Sequence, residues 1–169
     1  GLKTGIYLYS YATTPEQAQQ EANLVLQWIE GYTVNYPIVF DIEDKCHKNL
    51  SNQQLIDIIN AFCTTIDAAG YYPMVYSYKN MFDTKLSICG WDRWVAQYNS
   101  SCGHTNNVCF WQYSSSGKVN GFSGRVDVNY QFKDYSNLII SDGFIEHNGN
   151  VRFYRNWKMQ KGWVDFNDT

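Results

Sequence analysis

Tyr36-Pro37-Ile38-Val39-Phe40-Asp41-Ile42-Glu43-Asp44 sets the fold, because it ends an apolar strand in acid. Ile38, Val39, Phe40 and Ile42 form a short, β-rich apolar run without alternation, the pattern of a strand buried on both faces. Residues two apart on a strand share a face, so Asp41 and Glu43 point one way while Phe40 and Ile42 point the other. Two carboxyls that face one space cannot both ionise easily, and the resulting split between a protonated and an ionised group is what glycoside hydrolysis uses. The plain alternative is a strand that ends in an acidic, solvated loop.

Working outward, the same strand and helix signals recur on both sides. Gly5 to Ala12 reads as a strand with Ile6 and Leu8 on one face and Tyr7, Tyr9 and Tyr11 on the other. Thr13-Thr14-Pro15-Glu16 supplies an N-cap with proline in the first turn, and Ala18, Ala22, Val25, Leu26 and Ile29 follow at helical spacing up to Gly31. Ser51 opens a second helix whose stripe is Leu55, Ile58, Ile59, Phe62 and Ile66, stopped at Gly70. Further strands are expected over Tyr72 to Tyr78, Trp94 to Tyr98, Val108 to Tyr113 and Arg125 to Tyr130. This alternation predicts parallel βαβ units, with sites at the carboxyl ends of the strands, where Glu43 sits.

With 169 residues the chain suits one domain and an appendage. A net charge of −3 gives no basic footprint for nucleic acid or an anionic membrane, and no apolar run approaches the roughly 20 residues that cross a bilayer. Neither partner is expected. The 14 Tyr and 6 Trp exceed the needs of a core of this size, and rings that pair an apolar face with a polar tip suit sugars; a Tyr-rich core with satisfied hydroxyls stays open beside that. None of the five cysteines stands at metal spacing with histidine, so no metal and no cofactor is expected. Cys102 and Cys109 bracket a polar, glycine-containing loop and are expected to be joined. Cys63 reads as a buried apolar residue, leaving Cys46 and Cys89 as a candidate second pair.

Taken together, Gly5 to Ala12, Phe40-Asp41-Ile42-Glu43, Ala69-Gly70-Tyr71-Tyr72-Pro73-Met74-Val75-Tyr76, Trp94-Val95-Ala96-Gln97-Tyr98, Trp111-Gln112-Tyr113-Ser114-Ser115 and Val126-Asp127-Val128-Asn129 resemble glycoside hydrolase family 25. These are the lysozymes that cut bacterial peptidoglycan. The resemblance runs in order from Gly1 to about Phe132 and implies a modified (β/α) barrel that hydrolyses the β-1,4 bond between N-acetylmuramic acid and N-acetylglucosamine. It implies Glu43 as general acid, Asp41 as the assisting carboxylate and Asp127 as a further acid on the last strand. Tyr7 or Tyr9, Tyr76, Tyr98 and Trp111 would line the sugar groove. It also implies action outside the cell, secreted or on the wall, from a bacterial or phage source.

Against that pattern, the chain opens at the approach to what would be the third strand, so the expectation is an incomplete α/β barrel. Open barrel edges invite self-association. An inactive or non-catalytic module that binds cell-wall glycan is the alternative to an enzyme. The boundaries expected are 1–134 for the partial barrel and 135–169 for a linker and a partial repeat. Asp142-Gly143-Phe144-Ile145, Asn148 to Tyr154 and Lys161-Gly162-Trp163-Val164 resemble the start of the aromatic, glycine-punctuated repeats of cell-wall enzymes. A hairpin packed back on the barrel is the other reading of that tail.

Overall fold

Side-chain caps define both long helices. The Thr14 hydroxyl accepts from the Gln17 N–H and Pro15 fills the first turn of α1 (Pro15–Trp28). Ser51 and Gln54 form a reciprocal capping box at the start of α2 (Asn52–Ala68). The computed structural model describes residues 2–147 and 149–163. Around the helices run β1 (Ile6–Tyr9), β2 (Ile38–Asp41), β3 (Pro73–Tyr78), the short α3 (Lys79–Thr84), β4 (Arg93–Ala96), β5 (Val108–Gly117) and β6 (Val126–Gln131).

The six strands make one curled half-barrel sheet in sequence order, β1 to β6. The first five are parallel, as the alternation of elements predicts. The sixth is not: β6 runs antiparallel to β5, because residues 118–125 are too few for a crossover and the chain turns straight back. Strand alternation divides the side chains between two cores. On the helix side Ile38, Phe40, Ile42, Val75 and Val95 pack with Ala18, Ala22, Val25, Leu55, Ile58, Ile59, Phe62 and Ile66. Phe40 stacks on Phe62 with ring centroids 4.3 Å apart. On the concave side Val39, Met74, Tyr76 and Ala96 pack with Tyr135, Leu138 and Ile139.

A register shift between Arg93 and Trp94 leaves Cys109 as the extra residue of a bulge in β5. Cys109 is thereby buried in the concave core with its Sγ 3.7 Å from the Asn107 carbonyl, while the Cys102 Sγ lies 3.3 Å from the His104 carbonyl. The expected link between them is absent, and all five cysteines are free thiols. Polar side chains hold the loop instead. Gln97 Oε1 accepts from the Gly103 N–H at 2.7 Å, Asp83 meets His104 Nδ1 at 2.6 Å, and Asn107 Nδ2 donates to the Trp91 carbonyl at 3.0 Å.

A three-stranded antiparallel sheet follows, of β7 (Gly143–His147), β8 (Asn150–Arg155) and β9 (Lys158–Met159). It packs back on the half-barrel. The Met159 N–H donates to the Gly70 carbonyl at 2.8 Å, Lys161 pairs with Asp67 at 2.9 Å, and Trp157 packs against the concave core. Asn148 and Val164, which belong to the repeat reading of this tail, lie outside the described residues.

Candidate active site

Depth along β2 fixes the two central acids. Asp41 is the last residue of the ladder, paired with Tyr9 on one side and Tyr76 on the other, and is 5% exposed. The chain then leaves the strand with Ile42 N–H donating to the Tyr76 carbonyl at 3.0 Å and the Ser77 hydroxyl donating to the Ile42 carbonyl at 2.9 Å. Those two bonds hold Glu43 on the Asp41 side, nearer the mouth and half-buried. Asp44 serves locally: its carboxylate accepts from the Cys46 N–H at 2.9 Å and caps a 3₁₀ turn, Lys45–His47.

The concave face opens here as a cleft of about 170 Å³ lined by Tyr7, Tyr9, Asp41, Glu43, Tyr76, Trp94, Gln112 and Asp127. Tyr7 and Tyr9 come from β1, where alternation sends Ile6 and Leu8 to the helix side. Asp127 comes from β6 and is exposed. Thus six of the eight residues named from sequence, Asp41, Glu43, Asp127, Tyr7, Tyr9 and Tyr76, meet in one cleft. Tyr98 does not line it, although its hydroxyl donates to Gln112 Oε1 at 3.2 Å. Trp111 lies on the opposite face of β5, donates from Nε1 to the Gln97 carbonyl at 2.8 Å and stacks on Tyr130 at 5.5 Å. Trp94 and Gln112 are lining residues that the sequence reading passed over. Trp94 was open to the alternation argument, since it and Ala96 must oppose Val95. Its Nε1 donates to Asn129 Oδ1 at 2.8 Å, which ties β4 to β6 across the floor.

Burial decides the charge of the cleft. The Asp41 carboxyl is pushed up from 3.8 to about 8, first by loss of hydration and second by the Glu43 charge, and its Oδ1 has no partner among the described residues. Near neutral pH Asp41 therefore keeps its proton. Tyr9 is pushed up to about 12 by desolvation and then by Asp44, to whose Oδ2 it donates at 3.2 Å. Deeper along the same face lies a larger hollow of about 250 Å³, lined by Tyr36, Pro37, Val39, Met74 and Phe110 among others. None of its described lining residues is a carboxylate, whereas the smaller cleft holds three.

The model of Glycosyl hydrolases family 25 matches residues 1–122. The uncharacterized protein YegX of Escherichia coli K12 is 28% identical over 126 residues, covering 72% of this chain and 46% of that protein. The autolytic lysozyme of Clostridium acetobutylicum is 29% identical over 148 residues, covering 86% and 43%. Among solved structures, the modular autolysin LytC of Streptococcus pneumoniae superposes with a TM-score of 0.66 at 33% identity, covering 75% of this chain and 33% of that one. The chain spans less than half the length of the curated relatives named here. A family match over most of the chain, on a half-barrel whose strand ends gather three carboxyls, places this protein in glycosyl hydrolases family 25.

Proposed function

We propose that the chain carries the glycan-cleaving centre of a peptidoglycan hydrolase, a muramidase that cuts the β-1,4 bond between N-acetylmuramic acid and N-acetylglucosamine. The observation that carries this reading is the meeting of Asp41, Glu43 and Asp127 in one tyrosine-walled cleft, with Asp41 kept protonated by burial. Such a pair holds one proton between two carboxyls near neutrality, which supplies an acid beside a base without any outside group. Glu43, at the mouth end of the pair, meets the leaving oxygen as general acid after taking the pair's one proton from Asp41, which is left ionised beneath it. Asp127 faces the reacting centre from β6. LytC of Streptococcus pneumoniae, similar in fold at a TM-score of 0.67 and 32% identity, has been solved with a synthetic peptidoglycan ligand, which favours the same substrate class here.

On this reading the protein works at the bacterial cell wall, secreted or wall-bound, and clears walls by cutting their glycan strands. The outer strand of the described sheet, β1, lies beside the exposed Trp28 and Tyr32 and pairs with a second copy when the protein is concentrated. Dye release from purified walls, run with sedimentation to give the mass in solution, tests both statements. Glu43→Gln keeps the side-chain shape but has no proton to give, and its rate should fall by about 10² to 10⁴. A variant that keeps more than about a tenth of wild-type rate removes Glu43 from this role. A wild type that binds walls without cutting them turns the reading into a non-catalytic binding module.

A further inference from the structure

Gln112 is 3% exposed, and one end of its amide is fixed by two phenols. Its Oε1 accepts from the Tyr76 hydroxyl at 2.8 Å and from the Tyr98 hydroxyl at 3.2 Å, which fills the two lone pairs of that oxygen. Neither phenol has another acceptor among the described residues, so turning the amide over would strand both O–H groups. Burial holds the Tyr76 phenol well above its ordinary value and keeps it a donor. Gln112 lines the cleft with Asp41 and Glu43, and Nε2 is the end of its amide that the two phenols leave for a ligand. No described residue accepts from it.

A donor held in a fixed direction, next to acids and without a protein partner, asks for an acceptor from the ligand. We propose that Gln112 is a specificity residue that reads the acetamido carbonyl of an N-acetylated sugar and rejects the same sugar as a free amine. The inference rests on the cleft being a glycan site. A carbonyl oxygen only accepts, so it matches Nε2, whereas an ammonium only donates and would set N–H against N–H. A sugar hydroxyl both donates and accepts, and so is not discriminated. The Tyr76 and Tyr98 hydroxyls then act as positioning groups, since they decide which end of the amide meets the ligand.

The test uses two ligands with the same glycan backbone that differ only at the sugar nitrogen, the N-acetylglucosamine tetramer and its fully deacetylated counterpart, with binding measured by titration calorimetry. Wild type should prefer the acetylated tetramer by about tenfold or more, the usual scale for a buried donor left unpaired by the wrong ligand. Gln112→Glu keeps an oxygen for both phenols and exchanges only the donor for an acceptor. It should lose the acetylated ligand and gain the amine. Gln112→Leu should lose the preference without gaining the amine, and its melting transition shows whether the fold survives. An unchanged ratio in both variants, or a wild type that binds the two tetramers equally or binds neither, overturns the inference. Wall hydrolysis separates it from the enzyme reading. An inactive wild type whose preference still inverts in Gln112→Glu leaves this inference standing and removes the enzyme, while an active wild type with an unresponsive preference does the reverse.

Discussion

Asp41→Asn should make the protein more stable in alkali, although it removes an acid from the centre of the site. Between the ordinary aspartate value of 3.8 and about 8, the folded chain holds a proton on Asp41 that the unfolded chain has released. The folded state binds the extra proton, so its stability falls as pH rises through that window and levels off above it. At about 1.4 kcal/mol per pH unit the ceiling is roughly 6 kcal/mol, and hydration reaching the carboxyl from the open cleft brings the working loss to about 2 to 3 kcal/mol. For a chain of this length that is roughly 5 to 10 °C in Tm.

The asparagine variant has no proton to lose at this position and should show a flat profile where the wild type declines. Thermal melts at half-unit steps from pH 4 to 9, for both proteins, give the comparison. Glu43→Gln provides the internal check: it removes the smaller cause of the shift and leaves burial, so the wild-type decline should move to lower pH without vanishing. Parallel profiles for wild type and Asp41→Asn would show that Asp41 ionises normally, and the charge division assigned to the cleft would go with it.

Two further substitutions test the frame around the site. Gly70→Ala should cost about 3 kcal/mol in denaturant melts, because φ is +86° at Gly70 and an added Cβ would stand 2.3 Å from the Met159 carbonyl oxygen, prising β9 from the half-barrel; a loss below about 1 kcal/mol would mean that the docking is loose. Phe62→Ala empties the place stacked against Phe40 and should cost about 3 to 5 kcal/mol by the same assay, with a smaller loss expected only if the helix side of the sheet can collapse into the gap.

Local chemistry makes much of this fold legible in the sequence. Thr14-Pro15 and Ser51 with Gln54 announce two helix starts, and the structure begins α1 and α2 where those caps require. The apolar stripe from Leu55 to Ile66 is buried throughout, because a 3.6-residue period admits one face to the sheet. Two departures stand beside these, one readable from the length of a link and one not. The β5–β6 turn breaks the parallel pattern, although the count of residues 118–125 already forbade a crossover. The bulge at Cys109 has no signature in composition, and it turns that thiol into the concave core and away from Cys102.

The same bulge governs which side chains reach the cleft. Phe110 and Gln112 follow it onto the concave side, and Trp111 is left to stack with Tyr113 and Tyr130 outside. A motif containing Trp111 and Gln112 side by side therefore points to the right strand and leaves the choice between neighbours to one inserted residue. Asp41 and Glu43 escape this ambiguity because β1, β2 and β3 pair without a shift. On such a strand depth alone separates the two carboxyls: Asp41 is inside the ladder, between Tyr9 and Tyr76, and Glu43 is beyond its end. The inner group loses its hydration and keeps a proton, while the outer one meets whatever enters the cleft. An Asp-x-Glu at the end of a buried parallel strand thus builds unequal partners from equal chemistry, and the aromatic walls decide what they are offered.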